Sequence, residues 1–264
     1  MAGTPAPRFI WATLKQPVAE SNVEGIVLSR RNSGESDRRI TLLTRDFGKI
    51  DAVAKGARKA ASRLGSSTEP LSIAVFGIAA GKHANFVTQA QPVGRFSGLR
   101  SDFDRLSMAL ALLELVDAVA PVDQPDPEIY DLLEKSLNSL TDHPKPQVVM
   151  VWAEVRLLEA SGFAPQFGQC VITGAPLSEG EAFLSPMAGG YVSAAHAPKY
   201  VDRFLARAEV LYGLDRIGHF ADPPPNLKLA KECLQALFPF WRAVADKKLP
   251  ANEALLNQLR DKQS

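Results

Sequence analysis

From Val23 onward the chain alternates short apolar runs with turn residues: Val23 to Arg30, Arg39 to Arg45, Ile50 to Lys55, Leu71 to Ile78 and Asn85 to Gln91. Runs of this length, rich in β-branched residues, read as strands. Asn32-Ser33-Gly34, Asp46-Phe47-Gly48 and Ala80-Gly81-Lys82 each set a glycine where a tight turn needs positive φ, so hairpins are expected. The stretch Gly56 to Thr68 is small, basic and polar without a period of two, and reads as a loop or short helix. Five strands with the longest break between the third and fourth predict a partly open OB-type barrel, with an SH3-like barrel as the near alternative.

Beyond Arg100 the period becomes helical. Ser101 with Asp104 reads as a capping box for a helix to Val119, and Asp126-Pro127 as an N-cap with proline at the first helical position. A third helix is predicted over Gln147–Ser161, stopped at Gly162, and further helices over Lys199–Tyr212, Asn226–Asp246 and Asn252–Arg260. Between them lies a turn-rich insert. The expected organisation is an α+β chain: an extended leader over 1–21, a five-stranded OB-fold barrel over 22–99, and a mainly α-helical domain over 100–264 with its insert at 165–197.

Composition narrows the class. Hydrophobic residues at 46% and charged residues at 22% fit a folded chain. Two cysteines, Cys170 and Cys233, rule out a disulfide framework and suit a reducing compartment, so a cytoplasmic location is expected. Phe9 to Leu14 is too short for a signal h-region, and the longest apolar run, Met108 to Ala120, is broken by Glu114 and Asp117, so no membrane association is expected. Phosphate-loop, dinucleotide, metalloprotease and nucleophile-elbow motifs are absent, and the four histidines are scattered, so no catalytic residue is assigned and no enzyme is expected.

The net charge of +1 conceals an asymmetry. Residues 1–99 carry 14 Lys and Arg against 7 Asp and Glu, leaving 16 against 22 for the rest. The excess sits in Arg30 and Arg31 at the end of the first strand, Arg38 and Arg39 opening the second, and Lys55, Arg58, Lys59 and Arg63 in the long break. The first two pairs flank one hairpin turn. Like charges so placed repel, and phosphate relieves the cost, gripped by guanidinium forks and lysine point charges. Phe47, beside Lys49 at a turn, is a candidate stacking platform, whereas Phe86 reads as core. The expected activity is binding of single-stranded nucleic acid without bond-making chemistry.

The run Gly25 to Gly65, GIVLSRRNSGESDRRITLLTRDFGKIDAVAKGARKAASRLG, resembles the N-terminal signature of the RecO family of bacterial DNA repair proteins. The likeness combines the Gly34-Glu35 turn, the Leu42-Leu43-Thr44 strand, the Phe47-Gly48-Lys49 turn and the Ala54-Lys55-Gly56-Ala57-Arg58 exit. It continues more weakly through Glu154–Leu158, Gly162-Phe163 and Cys170. It implies a recombination mediator that binds single- and double-stranded DNA, anneals complementary strands, engages the C-terminal tail of the single-strand-binding protein SSB and the partner RecR, and assists RecA loading. It implies no cofactor and a nucleoid-associated place in the cytoplasm. For the SSB tail the candidates are Arg156 and Lys231. Many relatives carry a CxxC…CxxC zinc module in the insert; here the matching positions are Cys170, Thr173, Ser193 and His196, so no metal is expected. Two other readings stay open: a general OB-fold module for single-stranded RNA or DNA without a recombination role, and an enzyme whose site forms around Cys170 and His196.

Overall fold

The computed structural model describes residues 21–94, 96–178 and 181–261. Except for Ser21, the expected leader lies outside the described residues. The five strands are β1 (Ser21–Ser33), β2 (Asp37–Thr44), β3 (Gly48–Ala54), β4 (Ile73–Ala80) and β5 (Asn85–Pro92). They follow the order β1-β2-β3-β5-β4 and close on themselves, an OB-type barrel that is closed where the turn pattern predicted a partly open one. The length of β1 explains the difference. Its first half, Ser21–Ile26, pairs with β4, and its second, Gly25–Ser33, pairs with β2 across a bulge between Val27 and Ser29. A bulge bends one strand so that it serves both neighbours. The final seam is a short parallel pairing, Ala52↔Asn85 to Ala54↔Val87.

Strand alternation sorts the side chains. Val27, Ile40, Leu42, Ile50, Ala52, Phe76 and Val87 fill the barrel, while Ile26, Leu28, Leu43 and Ile73 join a second, larger core outside it. That second core is built by α1 (Phe103–Val119), α2 (Pro127–Asp142), α3 (Pro146–Ala160) and the later helices, which clad part of the barrel's outer surface.

The caps follow local chemistry. Asp102, one residue past the expected Ser101, caps α1 by accepting from the Arg105 amide at 3.1 Å, and Asp126 caps α2 from the Ile129 amide at 3.1 Å. Gly162 ends α3 with φ of 80°, as predicted. A three-stranded sheet in the order β7-β6-β8 takes β6 (Glu181–Ser185) and β7 (Gly190–Val192) from the insert and β8 (Phe204–Arg207) from the chain beyond it. A helix was expected over Lys199–Tyr212; instead β8 precedes α4 (Ala208–Ile217). Phe204 and Ala206 are partly buried while Leu205 and Arg207 are exposed, a period of two that β6 captures by antiparallel pairing. Two helices complete the chain, α5 (Ala230–Val244) and α6 (Pro250–Asp261).

Candidate nucleic-acid interface

Beyond the part of the barrel's outer surface that the helices cover, cross-strand register builds an open patch on the same strands. Arg31 pairs with Arg39, Arg39 with Val53, and Val53 with Phe86, a row across β1, β2, β3 and β5. Three interstrand spacings make this row about 14 Å wide. The next row of the same face is Ser29, Thr41 and Asp51. Phe86 is therefore not core: its neighbour Val87 fills the barrel, and the half-buried ring of Phe86 lies on the outer face with the Lys55 ammonium 4.7 Å from its centroid. An aromatic and a cation stacked this way form a platform for a base beside a phosphate ligand. The alternation of Phe86 with Val87 was visible in the sequence; only the choice of inward residue was misjudged.

The ten residues proposed from sequence fall into distinct environments. Arg39 and Arg63 make no side-chain hydrogen bond or ion pair among the described residues, and Arg63 and Lys59 are exposed. Arg31 is 67% exposed and only loosely paired with Asp51, at 3.6 Å. Arg58 donates to the Gly34 carbonyl at 3.0 Å, and its amide bonds the Ser36 carbonyl at 2.9 Å, which ties the long loop to the β1–β2 turn. Asp37 reinforces that link. It accepts from the Gly56 amide at 2.8 Å, and this bond holds its carboxyl below the usual carboxylate range. The loop carrying Lys55, Arg58, Lys59 and Arg63 is thus fastened next to the Arg31–Arg39 row.

The other four are engaged in holding the fold. Arg38 is 13% exposed; it donates to the Gly65 carbonyl at 2.8 Å and the Thr68 hydroxyl at 2.9 Å, and pairs with Glu69 at 2.9 Å. The other oxygen of Glu69 takes Arg30 at 2.7 Å. Lys49 is 13% exposed and sits against Asp117 of α1, donating to its carbonyl at 2.6 Å. Burial draws its ammonium below the usual lysine range, and the opposing pull of Asp117 does not fully restore it. Phe47 packs on the barrel core at the end that meets the helices. There Gly48, at φ of 68°, approaches the Gln124 backbone so closely that a Cβ would lie 1.9 Å from its carbonyl oxygen. Arg45 forks onto Asp131 of α2 at the same junction.

Between the barrel face and the helices runs a groove of about 640 Å³, lined on one side by Arg30, Arg31, Arg39 and Asp51 and on the other by Asp117, Val122, Asp123 and Lys247. Lys247 is a residue the sequence reading missed, because its place depends on how the α5–α6 connection packs.

The helical candidates lie apart. Arg156 bonds Glu159 at 2.9 Å and lines a cleft of about 230 Å³ with Glu128, Asp131 and Lys135, whereas Lys231 on α5 is not among its lining residues. In the insert, the Ser193 amide donates to the Cys170 sulfur at 3.4 Å and the Ser193 hydroxyl bonds His196 Nδ1 at 3.1 Å. Burial pushes the Cys170 thiol up, but the Thr173 hydroxyl and the amides of Ser193, Ile172 and Thr173 outweigh it and bring the thiol to about 6. Cys170 is 1% exposed, which denies a substrate access to its sulfur. One thiolate, one imidazole and two hydroxyls do not fit the four-ligand shell of structural zinc. Among the described residues no group of three or more His, Cys, Asp or Glu gathers as metal ligands, and no helix is long and apolar enough to cross a membrane.

Two family models match the chain, one described as Recombination protein O N terminal over residues 18–96 and the other as Recombination protein O C terminal over residues 100–248. The chain belongs to the RecO family. Among similar RecO proteins, the DNA repair protein RecO of Heliobacterium modesticaldum is 37% identical over 64% of this chain and 63% of its own length. The one of Bifidobacterium adolescentis is 36% identical over 67% of this chain and 74% of its own. That of Alkaliphilus metalliredigens is 33% identical over 71% and 76%. In the Heliobacterium and Roseiflexus RecO proteins the matched region spans less than two thirds of the relative, 63% and 59%.

Proposed function

We propose that this RecO-family chain acts in DNA repair by holding DNA on the outer face of its barrel, and there anneals complementary strands. The observation that carries the reading is the row Arg31, Arg39, Val53 and Phe86, bordered by the tethered loop of Lys55, Arg58, Lys59 and Arg63. Its cations neutralise phosphates, and counterion release then drives association. Annealing is opposed by repulsion between two phosphate chains; a cationic face lowers that cost for both strands while leaving base edges free to pair. Arg30, Arg38 and Lys49 support the reading differently, by fixing the strands that display the ladder.

SSB, RecR and, through them, RecA enter the proposal through family membership, as does a cytoplasmic, nucleoid-associated place of work. Arg156 and Lys231 remain the proposed contacts for the acidic SSB tail, acting as separate points on the helical surface. The test is a fluorescence annealing assay on complementary oligonucleotides, bare and SSB-coated. The expected result is annealing by the wild type in both and slower annealing by an Arg39→Ala variant in both. Annealing by Arg39→Ala at the wild-type rate would assign the activity to another surface.

A further inference from the structure

Resting on the barrel-face reading, we propose that the helical region supplies the second wall of a single-strand cleft and that Lys247 is a phosphate ligand on that wall. The wall forms because Pro121–Asp123 lies along β3 as an added strand segment. The Lys49 amide donates to the Pro121 carbonyl at 3.2 Å, and the Asp123 amide to the Lys49 carbonyl at 2.9 Å. Behind it, Asp117 takes two lysines, Lys49 on one oxygen and Lys247 on the other.

The two lysines are not equivalent. Lys49 is 13% exposed and also held by the Asp117 carbonyl, whereas Lys247 is 39% exposed and, among the described residues, pairs only with Asp117. A phosphate entering the groove can therefore draw Lys247 away while Lys49 continues to neutralise Asp117. Exchange of one anionic partner for another costs little when the abandoned carboxylate keeps a cation. The groove then presents Arg31 and Arg39 on one side and Lys247 on the other, with Asp51 and Asp123 also in its lining.

A cleft with two walls selects the form of the ligand. A single strand is flexible and threads between them, contacting both. A duplex carries its phosphates on a rigid convex surface and meets the open ladder and loop without reaching the cleft floor. Lys247 therefore contributes to single-strand binding and not to duplex binding.

The experiment is a salt titration of affinity for a fluorescent oligothymidylate and for a duplex of equal length, using wild type, Lys247→Gln, Lys248→Gln and Arg39→Ala. Lys248 is exposed, adjacent in sequence and absent from the groove lining, so it controls for net charge. Loss of one contact lowers the single-strand slope of log K against log salt by about 0.7. The expected result is that loss for Lys247→Gln on the single strand, no change on the duplex, and no change for Lys248→Gln on either. An unchanged slope for Lys247→Gln beside a reduced one for Arg39→Ala overturns the second wall and leaves the barrel face standing. Equal losses for Lys247→Gln and Lys248→Gln, or for the two ligands, also overturn it. Unchanged slopes for Lys247→Gln and Arg39→Ala together overturn the barrel-face reading itself.

Discussion

Two parts of the barrel's outer surface are made from the same strands and serve different ends. In one, Ile26, Leu28, Leu43 and Ile73 are buried against the helices; further along those strands Arg31, Arg39 and Phe86 stand in register, with the helical region facing Arg31 and Arg39 only across an open groove. A five-stranded barrel leaves its outer surface to be used or covered, and here the helical region covers the apolar half. The contrast is sharpest at Arg38 and Arg39. Adjacent in sequence, they project to opposite sides of β2. Arg38 fastens β2 to the end of the long loop through Gly65, Thr68 and Glu69, and Arg39 makes no such bond among the described residues. A positive charge in a nucleic-acid-binding domain is thus not by itself a ligand for phosphate.

This contrast yields outcomes ordered by size. Truncating the covered side, Leu43→Ala, leaves a cavity between barrel and helices and should cost ~2–5 kcal/mol in chemical denaturation. Arg31→Ala on the open side should stay within ~0.5 kcal/mol of wild type. Equal losses would erase the distinction.

The pH should act on the helical core more than on the open face. Glu154 is buried in α3, and burial pushes its carboxyl up from the ordinary 4.5 to about 8. The folded chain therefore holds a proton that the unfolded chain has released. Stability should fall as pH rises from the unfolded value through about 8, then level off, with a limiting slope of ~1.4 kcal/mol per pH unit from this group. Glu154→Gln should remove that fall and leave the opposite trend of Cys170, whose thiol at about 6 gives up its proton more readily in the folded chain, so stability of the variant should rise with pH in denaturation curves taken between pH 6 and 9. DNA binding by the ladder should not follow it.

Arg38→Ala strips partners from the Gly65 carbonyl, the Thr68 hydroxyl and one oxygen of Glu69, and should destabilise the chain by ~1–3 kcal/mol. Its residual DNA binding at a temperature well below unfolding should keep the wild-type salt slope. The smallest expected effect is at Phe86. Phe86→Leu removes a stacking surface and should weaken single-strand binding by ~1 kcal/mol without changing that slope, because stacking releases no counterions.

Much of this was legible in the sequence because it is local. Strand boundaries, the Gly34, Gly48 and Gly162 turns and the two sets of core residues follow from periodicity and backbone chemistry. The separation of Arg38 from Arg39 was also readable: with Ile40 and Leu42 facing the barrel interior, a period of two sends Arg38 inward and Arg39 outward. What could not be read depends on contacts between distant segments. Closure through β1 and β4 needs a bulge that no residue announces. β8 became a strand because β6 offered it a partner. Lys247 reached the groove only through the packing of the α5–α6 connection against Asp117, more than a hundred residues away in the chain.

The most direct measurement for the open face is the salt dependence of single-strand affinity in wild type and in the Arg31→Ala/Arg39→Ala double variant. With about five phosphates contacted, the wild-type slope should lie near −3.5, and the double variant should lose about 1.4 of it at roughly 0.7 per contact. A folded double variant that keeps the wild-type slope would contradict the account.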